Sequence, residues 1–388
     1  MLKTRDAVIL SVSWLFTFSL TMAFPKFAYL MGYSPGPSPF MDLQAVLTLG
    51  DCRGVPLHDV INGVCDPWER PWCYGVWIIH LVQFLHLSND YFLIFGWLNA
   101  LLIAICLGFV TKYFVSNVKW AYLVAFSPPI FFLAERANSD SLVMIFTVIL
   151  LFSIIHQRNK WFFWIPALLI GAKVYPAAIF LAFTKFKDFF WAMLATLFFA
   201  LFWIRDIGTI LGNQIHCRSW TFGNIVYYTQ TMNKCYDYGE ISTTVTILLA
   251  IGSILLWLAF YIFLRIFRPT TLSKFTNLIN SDEVSQTLVR VSGAIFLLCF
   301  LGVSMVAYKL WCVALLAIGV SRLNINSHKT FRAILFSLLL AGLWGTRISP
   351  VWVQILANWA LTALSFLVFA YIVQDLLDRL RKSGFALK

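Results

Sequence analysis

Long apolar runs separated by short polar breaks dominate the chain. They lie at Ala7–Phe24, Tyr91–Val110, Trp120–Leu133, Ser141–Ile155, Phe189–Ile204, Thr243–Leu264, Val291–Val306, Phe331–Trp344 and Val351–Val373. A helix needs ~20 apolar residues to cross a bilayer, so most of these runs predict membrane spans. Two further stretches, Trp161–Phe183 and Leu310–Val320, are apolar but interrupted by or adjoining Lys173, Pro176 and Lys309. Backbone freed at a break inside hydrocarbon must be satisfied within the protein, so these read as pairs of short helices meeting at a polar point. The expected fold class is an all-α polytopic membrane protein of about 10–12 transmembrane helices, forming one domain over residues 1–388.

Composition removes the alternatives. The 388 residues are 60% hydrophobic and 12% charged, against about 25% charged in soluble proteins, and mean hydropathy is +0.80. A cytosolic enzyme, a secreted disulfide miniprotein and a disordered chain are all excluded.

The net charge of +12 is scattered in small groups between apolar runs. That is the form of a topology signal rather than of a nucleic-acid surface. With the N-terminus in the cytoplasm, the inner breaks collect most of the 29 Lys and Arg, and most acids fall outside. Both termini are then cytoplasmic. Ala7–Phe24 lacks a small-residue cleavage site and reads as a retained helix. Two outer segments are long, 25–90 and 206–241, and the inner loop 265–290 is the largest cytoplasmic piece.

Five of the eight cysteines fall in the outer segments: Cys52, Cys65, Cys73, Cys217 and Cys235. No C-x-x-C spacing points to zinc. Disulfides in an oxidising compartment fit better, with Cys217–Cys235 one expected pair and a second among Cys52, Cys65 and Cys73. Cys106, Cys299 and Cys312 lie in apolar runs and read as buried thiols.

Ionisable groups near membrane depth cost ~2.5–3.5 kcal/mol and mark function. Four outer groups stand out. Asp42, in Pro39-Phe40-Met41-Asp42-Leu43-Gln44-Ala45, reads either as a helix N-cap or as a base. Glu135-Arg136-Ala137-Asn138-Ser139-Asp140 reads as a solvated turn or as part of a site. Lys173, in Ala172-Lys173-Val174-Tyr175-Pro176, either snorkels to the interface or binds an anion. Lys309, in Ala307-Tyr308-Lys309-Leu310, has the same two readings. A carboxylate, a guanidinium and two ammonium groups on one side are the parts for displacing a phosphate: Asp42 takes a proton from a hydroxyl, and the cations neutralise the departing phosphate. Soluble nucleotide signatures are absent, so a donor presented from the bilayer fits.

These motifs resemble those of the GT-C superfamily of integral-membrane glycosyltransferases. Glu135–Asp140 resembles the "ERGN-x-D" element of bacterial polyprenol-dependent mannosyltransferases and of the eukaryotic GPI first-mannose transferase, with Ala137 in place of the glycine. Lys173-Val174-Tyr175-Pro176 resembles "K-x-Y-P", and Tyr308-Lys309-Leu310 is similar to a late "Y-K/R-L". Order and sidedness agree over residues 1–310. The resemblance implies a GT-C-like bundle with juxtamembrane helices in the first outer loop, one of them over Tyr74–Leu87.

It also implies a reaction: inverting transfer of a hexose, mannose before glucose, from a polyprenyl-phosphate-sugar donor. The acceptor is a hydroxyl of an extracytoplasmic glycan, glycolipid or glycoprotein. Asp42 would be the base, with Asp51 or Asp59 as alternatives. Arg136, Lys173 and Lys309 would hold the donor phosphate. Asn138, Asp140, Tyr175, Trp72 and Asp51 would contact sugar or acceptor. No metal or other cofactor and no nucleic acid is expected. The site would open on the periplasmic, extracellular or lumenal face of the plasma or inner membrane. The competing reading is a transporter or flippase for a lipid-linked or anionic substrate, whose interrupted helices use the same charges. A third is a membrane assembly subunit without chemistry.

Overall fold

A computed structural model describes residues 3–33, 35–36, 38–72, 76–156, 243–301, 305–323, 329–345 and 351–382, with scattered residues between them that include Lys173, Thr221 and Phe222. The described chain is helical apart from one two-residue antiparallel pairing, Thr221–Phe222 (β1) with Met305–Val306 (β2). Among the described residues, five helices are long and apolar enough to cross a membrane: Thr4–Ala23, Asn89–Phe114, Ile247–Phe267, Glu283–Leu301 and Trp352–Arg381. A sixth span arises if Pro128–Arg136 and Asp140–Ile155, bent by 118° at their junction, are counted together. Several of these helices present large apolar side chains outward, among them Val12 and Phe16, Ile94 and Ile105, and Leu248 and Leu255. Exposed apolar surface on that scale fits a bilayer environment.

The chain forms two compact units, one of residues 2–113 and 128–215, the other of residues 114–127 and 216–388. In the first, helix α1 (Thr4–Ala23) is followed by short α2 (Pro25–Leu30), then by α3 (Met41–Asp51), α4 (Leu57–Ile61) and α5 (Val76–Phe84). The unit continues with α6 (Phe92–Phe114), α8 (Pro128–Arg136) and α9 (Asp140–Ile155). Trp14, Phe18 and Phe131 form one aromatic stack, with Phe18 also meeting Phe40 and Trp97. Ser11 Oγ donates to the Ala104 carbonyl at 2.8 Å, tying α1 to α6.

The segment between α3 and α6 carries its own apolar cluster. Leu49, Val60, Ile61, Cys65, Trp72, Val76, Ile79 and Val82 are buried together. Gly50 allows α3 to approach this neighbourhood, because a Cβ there would lie 1.7 Å from the Leu87 carbonyl oxygen. The disulfide expected among the first three cysteines is Cys52–Cys65. Cys217–Cys235 lies outside the described residues.

In the second unit, α7 (Val118–Ala125) joins α10 (Thr243–Phe267), α11 (Pro269–Ile279), α12 (Glu283–Leu301), α13 (Trp311–Ser321), α14 (Lys329–Gly345) and α15 (Val351–Lys382). Its polar pairs join residues that the charge pattern assigns to the inner side. Arg290 donates to Asp375 through Nε at 2.9 Å and Nη2 at 3.0 Å, both residues buried. Arg322 forks onto Asp282 at 2.6 and 3.1 Å. Burial would raise the Asp282 carboxyl, but Arg322 and the Ser285 amide hold it below its ordinary value.

Three sequence expectations change. Trp120–Leu133 is not one helix: it breaks at Phe126–Ser127, ahead of Pro128 and Pro129. Proline restricts the preceding residue and supplies no amide, so Pro128 starts a helix instead of continuing one. Segment 265–290, read from the sequence as a cytoplasmic loop, contains amphipathic α11, with Leu272, Phe275, Leu278 and Ile279 buried. The last helix runs nine residues beyond Val373, because Gln374–Lys382 are good helix formers. Cys106, Cys299 and Cys312 are buried thiols as expected.

Candidate functional site

The site is built where α3 begins and where α8 turns into α9, all within the first unit. The segment entering α3 is held by Glu135 in two ways. The Gly36 amide donates to Glu135 Oε1 at 2.9 Å, and the Phe40 amide donates to the Glu135 carbonyl at 2.9 Å. Phe40 is buried in the left-handed region at φ 55°. Gln44 folds back from the first turn, donating to Ser38 Oγ at 2.7 Å and to the Pro39 carbonyl at 3.0 Å.

Asp42 therefore sits in the first turn of α3 and its side chain makes no cap. Its Oδ1 accepts from Arg70 Nη1 at 2.9 Å, and its Oδ2 accepts from Asn138 Nδ2 at 2.8 Å. Arg136 Nη1 lies 3.9 Å from the same Oδ1 and Arg136 Nε 3.4 Å from Glu135 Oε2. The guanidinium also stands over the Phe132 ring at 5.0 Å.

Glu135–Asp140 is not a solvated turn. Glu135, Arg136, Ala137, Asn138 and Asp140 are all buried. The chain reverses at Ala137, whose φ is 45°. This is the left-handed residue that follows a helix, where glycine fits without steric cost. The glycine of the motif that this segment resembles falls at that position, and alanine here carries a cost of ~1 kcal/mol.

Lys173 does not snorkel. It is 6% exposed, its Nζ donates to Asn138 Oδ1 at 2.8 Å, and it pairs with Asp140 Oδ2. Asn138 Oδ1 also accepts the Asp140 amide at 3.0 Å. Ser141 Oγ bonds Asn99 Oδ1 and the Asn138 carbonyl, anchoring the turn to α6. Residues separated by more than 130 positions in sequence, Asp42 and Lys173, thus share a single intermediary, Asn138.

Of the three candidate carboxylates, only Asp42 meets the cations. Asp51 stands at the other end of α3, exposed and accepting the Asn89 amide at 3.0 Å. Asp59 is half-buried beside His58. Trp72 is packed into the apolar cluster between α3 and α6 rather than open beside Asp42. Lys309 belongs to the second unit, in a short turn of helix over Ala307–Leu310 ahead of α13. Tyr175 lies outside the described residues.

Sequence reasoning missed Arg70. Burial alone would depress its guanidinium, but the charges and hydrogen bonds of Asp42 and Asp66 hold it above its ordinary value. The available signal was an acid and an arginine four residues apart, Asp66 and Arg70, which pair here outside any helix. It could not show that Asp42, 28 residues away, shares the same guanidinium. In the sequence Glu135 is only one letter of a motif, and its grip on Gly36 and Phe40 is not legible there.

No protein-family model matches the chain, and comparisons with curated proteins and with solved structures give no match either.

Proposed function

We propose that the chain is an integral-membrane glycosyltransferase that moves a hexose from a polyprenyl-phosphate donor to a hydroxyl of an extracytoplasmic glycan, glycolipid or glycoprotein. The observation that carries this reading is the Asp42 carboxylate bonded by Asn138 beside Arg136, with Lys173 on the same asparagine. A base next to buried cations is what an acceptor hydroxyl and a departing phosphate need.

In the single displacement, the acceptor O–H gives its proton to Asp42 as its oxygen bonds to the anomeric carbon. The bond from that carbon to the phosphate oxygen breaks, and the electron pair leaves with the polyprenyl phosphate. Arg136 and Lys173 receive the phosphate. Four carboxylates (Asp42, Asp66, Glu135, Asp140) already pair with three cations (Arg70, Arg136, Lys173). Donor binding therefore proceeds by exchange, the phosphate displacing a carboxylate from Arg136 or Lys173. The site faces the periplasm, cell exterior or lumen, both termini are cytoplasmic, and the bundle has about 10–12 passes.

The bent α8–α9 pair is the observation that favours the second reading, a transporter or flippase. The test uses purified protein with polyprenyl-phosphate-mannose or -glucose and membrane-derived acceptor. Wild type is expected to transfer sugar and Asp42→Asn to lose transfer while still binding donor. Arg136→Ala and Lys173→Ala are expected to weaken donor binding. Lipid translocation in vesicles without sugar transfer would favour the second reading instead.

A further inference from the structure

We propose that Arg70 is a positioning residue for the Asp42 carboxylate, and that the disulfide-closed outer hairpin is the device that delivers it. The kinetic part of this inference rests on the reading of Asp42 as the proton acceptor.

Helix α3 carries Asp42 in its first turn and ends at Asp51, with Cys52 directly after it. Eleven residues at ~1.5 Å each separate the two ends by about 15 Å. The chain leaves through α4 and returns, and the Cys52–Cys65 bridge fastens the returning strand to the far end of α3. Asp66 follows at once, and residues 66–72 are pinned along their length. The Asp66 amide donates to the Gly63 carbonyl at 3.0 Å, the Glu69 amide to the Asp66 carbonyl at 2.9 Å, and the Trp72 amide to the Ile61 carbonyl at 2.8 Å. Gly63, at φ 95°, lies against the Arg70 carbonyl, where a Cβ would come within 2.7 Å. Glu69, at φ 55°, turns the chain between Asp66 and Arg70.

The guanidinium that results has every direction specified. Nε donates to Asp66 at 3.2 and 3.1 Å, Nη1 to Asp42 at 2.9 Å, and Nη2 reaches the Met41 carbonyl at 3.4 Å. Its face rests 4.9 Å from the Trp68 ring centroid. Asp66 orients the fork and Asp42 receives it. Arg70 fixes one oxygen of Asp42 while Asn138 fixes the other, so the carboxylate has one rotamer. Arg136, at 3.9 Å, is beyond hydrogen-bond distance and is left to meet the phosphate. The two arginines thus divide the work between the base and the leaving group. Lysine, with a compact charge, cannot reproduce the three-way fork.

The test has two parts on the full-length protein in detergent. Carbodiimide with glycine ethyl ester, read by mass spectrometry, reports how freely each carboxylate reacts. Arg70→Gln, and separately the double variant Cys52→Ser with Cys65→Ser, are expected to raise labelling at Asp42 several-fold and leave Asp140 and Asp375 at the wild-type level. Unchanged Asp42 labelling in either variant overturns the proposal. An equal rise at Asp42 and Asp140 also overturns it, because the effect would then be general loosening.

In the transfer assay, Arg70→Gln is expected to lower kcat about 100-fold with donor KM unchanged, and Arg70→Lys to recover part of that loss. A parallel loss in donor affinity would mark a merely structural role and overturn positioning. If labelling responds as expected but wild type transfers no sugar, the glycosyl-transfer reading fails and the Arg70 assignment stands.

Discussion

The Lys173 ammonium donates to Asn138 Oδ1 at 2.8 Å, on the opposite end of the same amide that donates to Asp42. The lysine fixes which way the amide points: its oxygen faces the cation and its nitrogen faces the carboxylate. Asn138→Asp puts a second carboxylate against Asp42, and like charges at that distance disfavour ionisation of both. Transfer is expected to fall at least ~100-fold, while Asn138→Gln, which keeps the amide on a longer stem, loses less. Steady-state rates of the two variants distinguish charge from geometry.

Breaking the Lys173–Asp140 pair from one side leaves a buried charge. Lys173→Met is expected to destabilise by about 3–5 kcal/mol, because Asp140 loses its counter-ion. The double change Lys173→Met with Asp140→Asn is expected to recover a large part of that loss. Thermal unfolding in detergent measures the cycle. Equal destabilisation by the single and double variants would contradict a paired buried charge.

Ala137 offers a gain. Replacing it with glycine relieves the left-handed backbone at φ 45° and is expected to stabilise by about 1 kcal/mol. Ala137→Val is expected to destabilise, since β-branched residues resist positive φ. Both are read as shifts in Tm, and a lower Tm for the glycine variant would contradict the strain.

Asp282 supplies a pH dependence in the second unit. Arg322 and the Ser285 amide hold its carboxyl below the ordinary value in the fold. A depressed folded value contributes stability that is complete above the unfolded carboxylate pKa of about 3.9 and is lost as pH falls through the folded value. The Tm difference between wild type and Asp282→Asn is therefore expected to be constant from neutral pH to about 5 and to shrink below about 4. A difference that grows on acidification would reverse the sign.

Unreduced peptide mapping checks the covalent frame. Cys52 is expected joined to Cys65, and Cys217 to Cys235 as the sequence suggests. Peptides of Cys106, Cys299 and Cys312 are expected as free thiols.

What the sequence made legible was what a single physical rule decides. Spans such as Thr4–Ala23 and Thr243–Phe267 follow from apolar length alone. Trp120–Leu133 misled because its composition is apolar throughout, and only Pro128 and Pro129 mark the break. Helix α11 was hidden inside a basic loop, although Leu272, Phe275 and Ile279 carry a helical period. In the site, sidedness brought Asp42, Arg136, Asn138, Asp140 and Lys173 onto one list, and the fold brings these five into one cluster. Which carboxylate meets which cation depends on long-range closure of the loop, and spacing carries no such information. Arg70 was overlooked for that reason.

The double hold of Glu135 on Gly36 and Phe40 has a mechanical consequence. It fastens the start of α3 to the end of α8 through a side chain and a main chain at once, so Asp42 and Arg136 travel as one piece. A motion that widens the gap between them must break both bonds together.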